Sequence, residues 1–73
     1  MARKPAPNLD LQRARFRAQM SRTDLSDRTH ITRKTLLAIE QRKTRVRLDT
    51  ASRIAKALDR EVEDLFRPDE VIG

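Results

Sequence analysis

The apolar residues of this chain recur every three or four positions, the period of a helix that buries one face. Leu11, Ala14 and Ala18 share one such face, and Leu36 and Ile39 a second. Ala51, Ile54, Ala55 and Leu58 form another stripe, and Val62, Leu65 and Phe66 the last. Residues suited to opening a helix precede these stripes. Asn8 is a favourable N-cap with Asp10 in the following turn, Ser21 with Asp24 approaches a capping box, and Thr32 caps a third helix. Asp49 is the expected N-cap of the fourth helix, and Asp59 to Glu61 break it. Glu61, Glu63 and Asp64 supply an acidic first turn to the fifth, which Pro68 closes. The prediction is an all-α fold, a compact five-helix domain over residues 9–67. Residues 1–8, with Pro5 and Pro7, form an irregular basic arm in which Arg3 and Lys4 are better explained by solvation than by a binding role. Residues 68–73 are left as a tail, with no place assigned to Val71 and Ile72.

The second and third helices are the centre of this arrangement. Ser21 to Thr29 and Thr32 to Glu40 are joined only by His30 and Ile31, which forces a sharp corner, and small Ser26 permits a close helix crossing. Such a corner takes a positive φ that normally calls for Gly, and His tolerates it better than most residues. With Leu36 and Ile39 inward, the third helix turns Arg33 and Lys34 outward. The pair reads as a helix-turn-helix whose second member enters a DNA groove. Phe16 lies off the stripe of helix 1; with Leu9 and Met20 it is expected to widen the core contact, an exposed patch for a partner subunit being the alternative.

Charge supports the same reading. Net charge is +6, but residues 1–47 hold 13 Lys and Arg against four Asp and Glu, or +9, whereas residues 48–73 hold four against seven, or −3. A chain so divided presents a basic face to a polyanion. A membrane is the weaker choice, because no apolar run approaches the roughly 18 residues of a spanning helix and no basic helix has a spare apolar face. The high charged fraction of 38% would favour disorder were the apolar residues not periodic. Nothing resembles a signal peptide and Cys is absent, so a cytoplasmic, nucleoid-associated protein without disulfides is expected. Ser26, Asp27 and His30 are close in sequence, but no nucleophile-elbow motif frames the serine. The single Gly, Gly73, builds no phosphate loop, and metal-ligand spacing is missing. The expectation is no enzyme, no metal, no cofactor and no small-molecule ligand.

Four segments in order carry a resemblance. They are Arg15 with Met20-Ser21-Arg22-Thr23-Asp24-Leu25-Ser26, then Ile31-Thr32-Arg33-Lys34-Thr35-Leu36-Leu37-Ala38-Ile39-Glu40, then Leu48 to Leu58, then Val62-Glu63-Asp64-Leu65-Phe66. Together they resemble the lambda-repressor-like helix-turn-helix family of Cro/cI or XRE type, from about Leu11 to Phe66. The family often has Gln at Arg22, where it grips a phosphate, and Gly at His30, Arg42 and Asp59. The resemblance also implies an internal ion pair between Arg15 and Glu40, in keeping with the inward position of Arg15 on helix 1.

In that docking mode helix 33–40 lies in the major groove of double-stranded DNA, and Thr32, Arg33, Lys34, Leu37 and Ala38 face the bases. Arg33 suits the O6/N7 edge of guanine, Lys34 the same acceptors or a phosphate, and Leu37 and Ala38 a thymine methyl. Arg22, Gln41, Lys43, Thr44 and Arg45 would hold phosphates, with Arg47 near the adjacent minor groove. A homodimer on an inverted repeat follows, its half-sites about 34 Å apart, its contact surface expected on helix 5 and the tail with Phe66, Val71 and Ile72. With about four phosphates per protomer its log–log salt slope would be roughly −7. The functional expectation is a transcriptional regulator, a repressor of phage or mobile-element type. A restriction-modification controller fits the length equally well, and an antitoxin that also binds a toxin is a further alternative.

Overall fold

The computed structural model describes residues 6–73, so Arg3, Lys4 and Pro5 of the arm lie outside the described residues. Five α-helices follow one another: α1 (Leu9–Arg17), α2 (Arg22–Thr29), α3 (Arg33–Glu40), α4 (Leu48–Ala57) and α5 (Val62–Leu65). A strand β1 (Val46–Arg47) leads into α4, and a 3-10 turn (Pro68–Glu70) leads into β2 (Val71–Ile72). The two strands pair in parallel, Val46 opposite Val71 and Arg47 opposite Ile72. The fold is all-α, with this minor sheet added.

The core is built from the stripes seen in the sequence. Leu11, Ala14, Leu25, Ile31, Leu36, Ile39, Ala51, Ile54, Ala55, Leu58, Leu65 and Phe66 are buried together, and Ala18, Met20 and Val62 pack half-buried against them. Val46, which belongs to no helical stripe, is buried as well and closes the core beneath the sheet. Burial of Phe66 removes it from any surface shared with a second copy.

Phe16 is corrected by the structure. It is 65% exposed and does not widen the core. Two residues past Ala14, it stands about 200° around α1 from the buried stripe. The Arg15 guanidinium lies over its ring at 4.8 Å, so Phe16 covers that cation from the solvent side. A second correction concerns α4. Its N-cap is Arg47, not Asp49, and no side chain caps it, because the extended chain of β1 runs directly into the helix. Asp49 stands in the first turn instead, where a carboxylate still complements the helix dipole.

The first described residues are tied to three helices at one point. Asn8 is completely buried; its Oδ1 accepts from Leu11 N–H at 3.0 Å and caps α1, while its Nδ2 donates to the Leu65 carbonyl at 2.7 Å. Its main-chain N–H donates to the Glu40 carbonyl at 2.7 Å. One residue thus joins the start of α1 to the ends of α3 and α5.

Candidate nucleic-acid interface

The corner between α2 and α3 is fixed by short polar side chains. Ser21 Oγ accepts from Asp24 N–H at 3.0 Å, and Asp24 Oδ2 accepts from Ser21 N–H at 3.0 Å, a complete capping box. The backbone hydrogen bond from Ser21, then its hydroxyl, hold the Asp24 carboxyl below its ordinary pKa of 3.8 against a small desolvation effect, with Arg28 adding to the lowering. At the far end of α2, His30 adopts the left-handed conformation, φ 59° and ψ 28°, and its N–H donates to Ser26. Buried Thr29 donates its hydroxyl to the Leu25 carbonyl at 2.7 Å. Thr32 then caps α3, its Oγ1 accepting from Thr35 N–H at 3.2 Å and donating to Thr35 Oγ1 at 2.9 Å.

This corner presents one continuous outward surface. Arg33, Lys34 and Leu37 are exposed, and with Thr32 they line a shallow depression completed by Ser21, Arg22 and Thr23 at the start of α2. Ala38 is half-buried and stands outside that lining. Thr23 escaped the sequence reading; its hydroxyl lies 3.5 Å from Arg33 Nη1. Its signal was present, since it is a polar residue in the first turn of the helix that crosses in front of α3.

Glu40, at the end of α3, is buried and clamped from both sides. Oε1 faces Arg15 Nη2 at 3.2 Å, and Oε2 accepts from Arg22 Nε at 2.7 Å. Arg15 also donates to the Met20 carbonyl at 3.1 Å. Helices α1, α2 and α3 are therefore locked through one carboxylate. Arg22, expected on a phosphate, commits its Nε to Glu40, yet its side chain remains 42% exposed and it lines the same depression as Arg33.

The other flank of α3 is the segment from Gln41 to Arg47. Gln41 is half-buried as the C-cap of α3, while Lys43, Thr44, Arg45 and Arg47 are exposed. Arg42 has φ 55° and turns away from that basic group, pairing with Glu70 at 3.3 Å and donating to the Ala6 carbonyl at 3.2 Å. Arg47 stays close to Asp49, with Nε and Oδ1 3.6 Å apart. Exposed cations thus flank α3 at both ends, and Glu40 holds it in place through Arg15, Arg22 and the Asn8 N–H.

Two short helices joined at a left-handed corner, the second carrying exposed cations, define a helix-turn-helix DNA-binding domain. Residues 11–70 match the Cro/C1-type HTH DNA-binding domain family, and the chain belongs to it. No curated protein and no solved structure shows a significant match. Its partner by family is DNA, and no helix among the described residues is long and apolar enough to cross a membrane.

Proposed function

We propose that this DNA-binding domain is a sequence-specific transcriptional repressor that acts as a homodimer on an inverted repeat. The observation that carries this reading is the exposure of Arg33, Lys34 and Leu37 on a helix immobilised by the buried Arg15–Glu40 pair and the half-exposed Arg22 that joins it. A rigid helix with a bare cationic start can seat itself in the major groove without ordering itself on arrival. Arg33 offers two parallel donors to guanine O6 and N7, Lys34 reaches the same edge or a phosphate, and Leu37 meets a thymine methyl, with Thr32 and Ala38 at the margin. The outer nitrogens of Arg22, with Gln41, Lys43, Thr44 and Arg45, take phosphates, and Arg47 approaches the neighbouring minor groove.

A single short helix reads few base pairs, which favours a two-fold dimer whose half-sites lie about one helical turn apart. Leu48 and Ile72 are exposed at the sheet, and they, with Val71, take the place of Phe66 in the surface that a second copy would cover. The test is selection from a randomised duplex pool by the wild type and by an Arg33→Ala/Lys34→Ala variant, with sedimentation of each complex. An enriched inverted repeat, lost in the variant and bound by two protomers, is the expected result. Salt-sensitive binding with no enriched sequence, identical in both proteins, would overturn base reading by α3.

A further inference from the structure

A second basic depression lies at the other end of α2, lined by Arg28, Thr29 and His30 and, from α4, by Arg53, Lys56 and Ala57. It shares no residue with the depression that holds Arg33 and Lys34. We propose that it is a second, independent site for the phosphodiester backbone of nucleic acid, gripped by Arg28, Arg53 and Lys56.

Three observations carry this. All three cations are exposed, and no carboxylate lines the depression. None of the three is in an ion pair among the described residues, a state they share with the other exposed cations outside Arg15, Arg22, Arg42 and Arg47. The acids one turn before Arg28 and Arg53 are directed elsewhere, Asp24 into the capping box with Ser21 and Asp49 beside Arg47, while Lys56 stands at the border with a separate depression that holds Asp59, Glu61 and Asp64. Arg28 lowers the Asp24 pKa through space without pairing with it.

Helix dipoles explain part of the cluster, since Arg28 and Lys56 stand in the last turns of α2 and α4. Arg53 stands earlier in α4 and is not explained in that way. The chemistry favours phosphate. Two guanidinium forks and an ammonium suit phosphate oxygens, whereas Ala57 is the only apolar residue in the lining and gives a protein partner no anchor. The site goes beyond the base-reading surface and does not depend on it.

The test measures affinity for a random-sequence 20-base-pair duplex across a salt series. The proteins are the wild type, Arg33→Ala/Lys34→Ala, and each of these two with Arg28→Ala/Arg53→Ala/Lys56→Ala added. A control removes equal charge where acids are close by, as Arg13→Ala/Arg17→Ala/Arg60→Ala, in the depression lined also by Asp10 and Asp64. Each phosphate contact contributes about 0.9 to the log–log salt slope, so the triple substitution should flatten it by roughly 3 in both backgrounds, and the control by clearly less. Two results would overturn the proposal: an unchanged slope, whatever happens to thermal stability, or a change no larger than the control's. Binding of labelled polyglutamate that the triple substitution abolishes, with the duplex slope unchanged by the same substitution, would also overturn it by assigning the site to an acidic protein segment. Loss of sequence selection in the Arg33→Ala/Lys34→Ala protein alone reports on α3 and leaves this outcome separate.

Discussion

Glu40 carries more of this fold than any other polar side chain, because each carboxylate oxygen faces a different arginine and its carbonyl receives Asn8. Removing it leaves Arg15, itself buried, without a counter-charge; breaking a buried pair in this way costs about 3–5 kcal/mol. Glu40→Ala should lose that much in urea unfolding, whereas Arg22→Ala, at a half-exposed position, should lose about 1 kcal/mol or less and weaken DNA binding. Equal losses in the two variants would show that Glu40 does not depend on Arg15. Asn8 gives a sharper test of a single atom. Asn8→Asp keeps the acceptor that caps α1 but sets a buried carboxylate oxygen against the Leu65 carbonyl in place of the donor, so it should cost at least the about 1–3 kcal/mol of an unpaired acceptor. A variant as stable as wild type would mean that the contact with Leu65 contributes nothing net. The capping role of Asn8 was legible because it depends on a residue three positions away. Its bond across 57 positions was not, since a sequence pattern carries no information on which carbonyl is left without a partner.

Helix ends respond to local chemistry, and this chain has two kinds of end to test. Asp24 has a folded pKa below 3.8, so the stability it contributes is fully present above about pH 3.8 and declines as pH falls through the lower folded value. Thermal unfolding of Asp24→Asn should lose this acid limb, remaining less pH-sensitive than wild type between pH 4 and 2. The second kind of end is the left-handed residue. Gln19, His30, Arg42 and Asp59 all have φ between 55° and 59°. A left-handed non-Gly residue costs about 1–2 kcal/mol, part of which Gly returns as unfolded-chain entropy, so Gln19→Gly should stabilise by up to about 1 kcal/mol. Gln19→Val should destabilise, and the reverse order of the two in chemical denaturation would contradict the strain. The corner at His30 was legible from the short link between two helical patterns. Gln19 was not, because α1 ends at Arg17 and the exposed, polar Gln19 breaks no apolar stripe. The strands were invisible for a related reason: at two residues each, they are too short to show alternation.

At the scale of the whole molecule, the last six residues close the fold around the basic segment that follows α3. Val71 pairs with Val46, Arg47 lies opposite Ile72, and Glu70 holds Arg42 to the outgoing chain. The segment from Gln41 to Arg47, which carries Lys43, Thr44 and Arg45, is thus attached at both Arg42 and β1. This coupling joins stability to binding. Truncation after Arg67 should expose Val46 and release Arg42, with a cost of about 1–3 kcal/mol from the apolar surface alone. Phosphate contacts position a protein without carrying sequence information, so loosening this segment should weaken binding to every sequence while leaving the preferred bases unchanged. Anisotropy titrations of the truncated and intact chains against the selected duplex and its single-base variants measure both quantities. A uniform loss of affinity with preserved ranking, in a complex that still sediments with two protomers, fits a segment held in place by the closing residues. A changed ranking would mean that residues 68–73 act on α3 itself, and unchanged affinity would mean that the segment from Gln41 to Arg47 holds its shape without them.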